Sequence, residues 1–291
     1  MIAISLIAFE SDSPSFAGDG KPPAALEDRI HATDAVVKRI SLNIADLKTV
    51  VTIDHSRLAA DAGVTMPPSV VTIYSDPAVN AALMEINPRV GLDLPQKILV
   101  FDEAGKPMVA FPTSAFLAKR HGIRDVGALR RYDSAMSIGL RGLEVESLAP
   151  VEADGLTRDY GISELVSDFS HAESIVRLKD VVMKQGDTVW FGEIDLKSKA
   201  TADGVESADA TLLLFGGPKP GGVAMAKFPK LGLDAFCQKL LVYEDSSGNV
   251  KVIFNDIVAM AKLHYGTSEK AHEVINRRLM QTFENAVKVK P

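Results

Sequence analysis

The chain has little cysteine, little net charge and no basic cluster. Cys237 is the only cysteine among 291 residues, so no intramolecular disulfide can form, which fits a reducing compartment. The 32 basic residues nearly balance the 38 acidic residues, which leaves a net charge of -6. Because phosphate neutralisation supplies most nucleic-acid affinity, this acidic chain is predicted not to bind nucleic acid. Hydrophobic residues make up 46% of the chain, a share that excludes an intrinsically disordered protein.

The sequence also lacks a long apolar run. No stretch approaches the ~18 apolar residues that a membrane-spanning helix needs, so no membrane association is predicted. The stretch from Ile2 to Phe9 is mostly apolar, but no Lys or Arg precedes it, and Glu10 and Asp12 follow. Signal peptides carry positive charge before their apolar region. We therefore expect a cytoplasmic protein, with periplasmic export as the alternative if this stretch belongs to a signal peptide.

Metal and cofactor motifs are missing as well. The six histidines show no His-x-x-x-His or Cys-His spacing, so no metal site is predicted. The glycine-rich segment 216–222 has neither Gly-x-Gly-x-x-Gly nor the Gly-Lys-Ser/Thr ending of a phosphate-binding loop. No cofactor is predicted.

An internal duplication is the most informative feature of the sequence. Pro88–Asp93 recurs as Pro229–Asp234 at an offset of 141, and Gln96–Val100 recurs as Gln238–Val242 at 142. His121 returns as His264 at 143. Further matches are His31-Ala32 with His171-Ala172, Ile53-Asp54 with Ile194-Asp195, and Gly63-Val64 with Gly204-Val205. The ordered matches predict two units of about 120 residues, longer than the repeats of a solenoid.

The duplication sets the expected domain boundaries. We predict an amino-terminal tail over 1–26, a first repeat over 27–145, a linker over 146–163 and a second repeat over 164–291. The linker contains Pro150, Gly155 and several acidic residues, a composition typical of a connecting segment.

Both halves predict the same mixture of helices and strands. The first half predicts helices over 32–42, 56–62, 77–86, 114–121 and 126–143, strands over 49–53 and 70–74, and a hairpin of 98–101 with 108–111. The second half predicts helices over 173–184, 223–227, 257–264 and 268–287, strands over 188–194 and 211–215, and a hairpin of 239–243 with 250–254. Helices mixed with strands that end in an antiparallel hairpin indicate the α+β class.

Motifs in both halves match one family. The first half contributes Ile53-Asp54-His55, Met66-Pro67-Pro68, Gly91-Leu92-Asp93-Leu94-Pro95-Gln96-Lys97, Ile98 to Asp102, and Gly105. The second half contributes Ile194-Asp195, Leu214-Phe215-Gly216-Gly217-Pro218, Gly232-Leu233-Asp234, Lys239 to Glu244, and Gly248. Over about four-fifths of its length the chain thus resembles a tandem pair of DUF302 domains. The resemblance implies two TT1751-like α/β sandwich units, each a twisted antiparallel sheet packed against helices, and it implies no particular activity.

The second half departs from this pattern at Ala235-Phe236-Cys237, where the first half has Leu94-Pro95. The first half has Ser75-Asp76-Pro77 where the family often shows a Gly-Asn-Pro turn.

Two pairs of residues could carry chemistry in equivalent positions. Asp54, followed by His55, could act in acid–base chemistry, and Asp195 is its counterpart; the alternative is that each aspartate caps the short helix that follows it. Asp93 and Lys97 recur as Asp234 and Lys239. A lysine there could bind an anion or become a nucleophile if burial lowered its pKa, or it could be an ordinary surface lysine on an edge strand.

Gly216 and Gly217 are the remaining candidates. They begin a glycine-rich segment between a predicted strand and a predicted helix, where free backbone amides attract anions. A flexible turn is the alternative interpretation.

Three classes of function follow from these candidates. The leading hypothesis is a non-catalytic protein whose repeats pack as an intramolecular pseudo-dimer and bind a small anionic ligand or a protein partner; further homo-oligomerisation stays open. The alternative is an enzyme that uses Asp54 with Lys97, and Asp195 with Lys239, in a cleft. DNA binding through a saddle-like sheet is a third class, which the acidic charge opposes.

Overall fold

The computed structural model describes residues 24–196, 209–236 and 238–289. The apolar stretch from Ile2 to Phe9, the Gly204-Val205 match and Cys237 lie outside the described residues.

Each half of the chain forms one five-stranded sheet, so the fold is α+β with two units. The strands of the first sheet are β1 (Lys48–Asp54), β2 (Ser69–Ser75), β3 (Gln96–Glu103), β4 (Lys106–Phe111) and β5 (Leu148–Pro150), in that order across the sheet. The strands of the second are β6 (Ile162–Val166), β7 (Val189–Asp195), β8 (Ala210–Gly216), β9 (Gln238–Glu244) and β10 (Val250–Asn255), in the order β6-β10-β9-β8-β7. The strand β3 is therefore central in the first sheet, and β9 is central in the second.

Helices cover the sheets in both halves. Those of the first half are α1 (Ala24–Asn43), α2 (His55–Asp61), α3 (Pro77–Ile86), α4 (Ser114–His121) and α5 (Val126–Leu140). Those described in the second half are α6 (His171–Met183), α7 (Pro218–Met225), α8 (Ile257–Tyr265) and α9 (Lys270–Val287). The glycine-rich segment is helical: Gly217 precedes the first residue of α7, and Pro218 occupies the first turn, where proline is well tolerated. Its interpretation as a flexible turn is wrong.

The junction between the two halves adds a strand to each sheet. The short strand β5 runs parallel to β4, whereas β6 runs antiparallel to β10. The expectation of wholly antiparallel sheets is therefore corrected at β5. This strand has only three residues and ends in Pro150, which gives too little alternation to be recognised in the sequence.

One apolar core contains residues of both halves. Phe101 and Ile98 belong to the same buried cluster as Leu212, Leu241 and Ile253. Two 3₁₀ helices lie at this contact, Pro88–Leu92 against strands of the second sheet and Pro229–Leu233 against strands of the first. The halves are thus packed through apolar surface, as the halves of an obligate dimer are.

Small residues bring the two halves close together. A Cβ at Gly232 would lie 2.6 Å from Ser69 Oγ, and one at Gly222 would lie 2.6 Å from the Cβ of Ala59. Ser69 Oγ also donates to the carbonyl of Pro229 at 2.8 Å. Along residues 24–196, 209–236 and 238–289, no helix is long and apolar enough to cross a membrane.

Candidate functional site

Charged and polar side chains from both halves meet in the interior between the two repeats. Asp93 and Asp234 each follow one of the two 3₁₀ helices, Lys97 and Lys239 lie near the start of the central strands β3 and β9, and His121 and His264 lie at or near the ends of α4 and α8. We call these six residues, together with Arg120 and Asn255, the inter-repeat charge cluster. Duplication places the six at equivalent positions, because each element recurs in the second half.

Lys97 joins the two halves of this cluster. Its Nζ lies 3.0 Å from Asp93 Oδ1 and 2.7 Å from Asp234 Oδ1. One ammonium group of the first repeat thus bridges the aspartates of both repeats. The ordinary surface lysine on an edge strand that the sequence left open is not found, because β3 is a central strand and Lys97 is buried.

The second oxygen of each aspartate is also occupied. Asp93 Oδ2 accepts from Arg120 Nη1 at 2.8 Å and from His121 Nε2 at 2.7 Å. Asp234 Oδ2 accepts from His264 Nε2 at 2.7 Å. Because a carboxylate only accepts, both histidines donate through Nε2–H, which a neutral ring can do.

Arg120 and Asn255 close the network across the repeats. Arg120 Nη2 donates to Asn255 Oδ1 at 2.6 Å, and Asn255 Nδ2 donates to the backbone carbonyl of Asp234 at 2.7 Å. Arg120 also donates through Nε to the carbonyl of Tyr160 at 3.0 Å. This arginine has no counterpart in the second repeat, where Leu263 stands 143 residues later.

Burial and neighbouring charge perturb the pKa values in the cluster. Burial alone would raise the pKa of Asp93, but Arg120 and Lys97 outweigh it and hold that pKa well below its usual range. Burial likewise opposes the charge of Lys97, but Asp234 and Asp93 raise its pKa. Asp93 and Lys97 are therefore both charged at neutral pH.

Lys239 differs from every other charged member of the cluster. Its side chain is 3% exposed, its Nζ donates to no acceptor, and its hydrogen-bonding neighbour is Lys97. Burial, followed by the charge of Lys97, lowers the pKa of Lys239 to about 7. Buried polar groups in proteins are nearly always hydrogen-bonded, so this amine and Nδ1 of His121, which also has no partner, are the exceptions in the cluster.

The other candidate residues lie away from the cluster. Asp54 is on the edge strand β1, and its carboxylate accepts the backbone amide of Arg57 at 2.9 Å, which caps α2. Asp195 is exposed at the end of the other edge strand, β7. The structure thus brings Asp93, Lys97, Asp234 and Lys239 together and leaves Asp54 and Asp195 at the outer edges of the sheets.

Gly216 and Gly217 line a small cavity of about 30 Å³ together with His55 and Phe236. A Cβ at Gly216 would lie 2.9 Å from Phe191 Cε2, so the absence of a side chain allows close packing. The space suits a single water molecule.

A larger groove lies on the second repeat. It has a volume of about 830 Å³ and runs between the start of β6 and the helices α8 and α9. Tyr160, Lys262, Asn276 and Arg277 are among its lining residues, and no member of the inter-repeat charge cluster is.

A comparison with known protein families identifies the family of this chain. The model of the domain of unknown function DUF302 matches residues 29–137 and again residues 163–286. The chain belongs to the DUF302 family. The tandem arrangement predicted from the duplication is confirmed.

Curated and structural relatives cover parts of the DUF302 chain. It is 33% identical over 72 residues to a protein named fluoride-specific ion channel FluC 1 of Brucella suis biovar 1 (strain 1330), and equally to FluC 2 of Brucella melitensis biotype 1. These matches cover 24% of this chain. They cover 28% of the Brucella suis protein and 27% of the Brucella melitensis protein, so the chain spans about a quarter of the relatives' length. A crystal structure of a DUF302 protein from Bacillus stearothermophilus is 16% identical with a TM-score of 0.37, over 44% of this chain and 95% of that chain.

Sequence reasoning missed four members of the cluster in these DUF302 repeats. His121 and His264 belong to no motif in the sequence, yet each binds the aspartate of its own repeat. Their recurrence at an offset of 143, close to the offset of 141 between Asp93 and Asp234, is the signal that links them. Arg120 and Asn255 occur once each, so duplication gives no signal for them.

Proposed function

We propose that this chain is a non-catalytic protein that binds a small inorganic anion between its two repeats. The observation that carries the proposal is the amine of Lys239, which is buried in the inter-repeat charge cluster without an acceptor for its N–H groups. An anion beside this nitrogen would supply the missing partner.

The charges around Lys239 favour an anion over a cation or a neutral ligand. Lys97 is near enough to lower the pKa of Lys239, and the nearby carboxylates already bind Lys97, Arg120 and the two histidines. A protonated Lys239 would therefore be a positive charge that no paired carboxylate offsets. Charge-assisted contacts in such a dry interior are stronger than in water.

The close packing around the cluster favours a very small anion. Lys239 does not line the described cavities of about 30, 40 and 830 Å³. A monatomic anion needs little more room than one water molecule. The curated relatives that share 72 residues with this chain are named for fluoride, and fluoride is therefore the first anion to test.

Thermal unfolding in different sodium salts tests the proposal. Fluoride or chloride would be compared with gluconate at constant ionic strength and about pH 6, because gluconate is too large for the site. We expect the halide to raise Tm, since a ligand at ten times its Kd stabilises by about 1.4 kcal/mol. The gain should be absent in Lys239→Met and retained in Lys227→Met, whose lysine is exposed. Equal halide effects in all three proteins would refute anion binding at Lys239.

An enzyme is the alternative, and it is favoured by the burial of Lys239 beside Lys97, which lowers the pKa of Lys239 to about 7. An amine with this pKa is partly unprotonated at neutral pH and could attack a carbonyl carbon. Borohydride reduction in the presence of a small aldehyde would trap such an adduct. A modified Lys239 in the mass spectrum, with the exposed Lys227 modified more slowly, would support the enzyme over the binding protein.

A further inference from the structure

The net charge of the inter-repeat charge cluster determines how an anion can bind there. Asp93 and Asp234 supply two negative charges, and Lys97 and Arg120 supply two positive charges. His121 and His264 donate to the carboxylates through Nε2–H, which a neutral ring does without adding charge. The cluster is therefore electrically balanced when the amine of Lys239 is neutral.

Either ion alone would disturb this balance. A bare anion beside a neutral amine would leave one net negative charge in the interior, and a lone protonated amine would leave one net positive charge. Burying an isolated ion is unfavourable because the ion loses its hydration. The two together form a neutral pair, which removes most of that cost.

We infer that the anion enters the site together with one proton, which Lys239 takes up, so that the cluster binds the elements of a hydrogen halide. The inference rests on the proposed function. The balance is simple: the neutral amine, one proton from solvent and one halide ion give an ammonium–halide pair, with no bond broken in the protein and no change of oxidation state.

The proton is assigned to Lys239 from among the charged and titratable groups around it. Lys97 on β3 and the two aspartates after the 3₁₀ helices are near enough to shift its pKa. Arg120, His121 and His264 bind the same two aspartates, and burial lowers the pKa of His121. The carboxylates are held ionised by their partners, and Lys97 is already protonated. The pKa of Lys239 near 7 agrees with this assignment.

The inference fixes how affinity depends on pH. Below about pH 7 the amine of the empty site is already protonated, so halide affinity should be nearly constant. Above that pH the proton must be taken up with the anion, and linkage makes the apparent Kd rise about tenfold per pH unit.

Calorimetric titration of the full chain with sodium fluoride tests this directly. The titration would be repeated near pH 8 in HEPES and in Tris, whose ionisation enthalpies differ, so that the heats give the number of protons taken up. We expect about one proton per fluoride near pH 8 and about none near pH 6. This measurement on the unaltered protein does not depend on whether Lys239→Met folds.

The possible outcomes distinguish proton-linked binding from anion binding itself. Fluoride binding with no proton uptake and a pH-independent Kd would overturn the inference while anion binding stands. No binding of fluoride or chloride at either pH would overturn both. Proton-linked binding that persists in Lys239→Met would assign the proton to another group and refute the role of Lys239, whereas Lys227→Met should bind as the unaltered protein does.

Discussion

At the scale of single residues, Asp93 is a buried carboxylate whose charge depends on nearby cations. Its two oxygens accept from Lys97, Arg120 and His121, and it is fully buried. Asp93→Asn would leave Lys97 and Arg120 short of a negative partner inside the protein. Breaking a buried ion pair costs about 3–5 kcal/mol, and we expect urea unfolding to show a loss of this size.

The matched control for Asp93 is Asp154→Asn. Asp154 is fully exposed and lies 3.5 Å from Lys119. Exposed pairs contribute about 0–1 kcal/mol, so this variant should unfold nearly as the original does. Similar losses in the two variants would contradict the role given to Asp93.

The amine of Lys239 makes stability depend on pH. Its pKa falls from 10.5 to about 7 on folding, so between these values the unfolded chain binds more protons than the folded chain. Stability should therefore rise with pH across this range, by up to about 1.4 kcal/mol per pH unit from this group. Lys97, whose pKa is raised above 10.5, loses its contribution only at higher pH.

Urea unfolding at a series of pH values in sodium gluconate measures this slope. Lys239→Met should have a flatter profile between about pH 7 and 10, and Lys227→Met should keep the original slope. Parallel profiles for Lys239→Met and the unaltered chain would show that Lys239 is protonated in the folded state throughout.

The sequence alone predicts the role of some of these residues but not of others. The spacing after Asp54 predicts a helix cap, and the carboxylate does accept the amide of Arg57. The burial of Lys97 was not decided by the sequence, because a charged side chain is buried only when its partners lie nearby, and Asp234 is 137 residues away. Contacts of that kind depend on how the halves pack.

At the scale of elements, the 3₁₀ helix Pro229–Leu233 depends on a residue without a side chain. A Cβ at Gly232 would lie 2.6 Å from Ser69 Oγ and 2.8 Å from His55 Cδ2, so the helix could not approach β2 of the first repeat as closely. We expect Gly232→Ala to destabilise by about 1–3 kcal/mol through overpacking, measured by urea unfolding.

Gly186→Ala is the matched control at this scale. Gly186 has a backbone conformation open to other residues, and a Cβ there meets nothing within 4 Å. Its substitution should be neutral or slightly stabilising. An equal loss in both variants would mean that Gly232 has no special part in the contact between repeats.

Most elements of the fold could be predicted, because strands and helices show their periodicity in both copies. The central hairpins, and the helix α3 before the first of them, lie where the pattern places them. The helix α7 was predicted too short because Gly221 and Gly222 have low helix propensity, which the contact of Gly222 with Ala59 overrides. Tertiary packing, rather than local helix propensity, therefore determines where α7 begins.

At the scale of the whole molecule, the shared core predicts one unfolding unit. Residues of both repeats belong to a single apolar cluster, so neither sheet can separate without exposing it. Trp190, the only tryptophan, lies in β7 of the second repeat, whereas circular dichroism reports both repeats. Urea transitions followed by the two methods should coincide. A circular-dichroism transition in two steps, with fluorescence following only one, would show repeats that unfold independently.

The fusion of two copies in one chain has a consequence for symmetry. In a dimer of identical subunits, every charge near the twofold axis is present twice, so the number of charged groups there is always even. Here Arg120 stands opposite Leu263, and the cluster holds two aspartates, two lysines and one arginine. A tandem chain can thus carry an odd number of charges at its centre, an arrangement that no symmetric pair of single repeats could adopt.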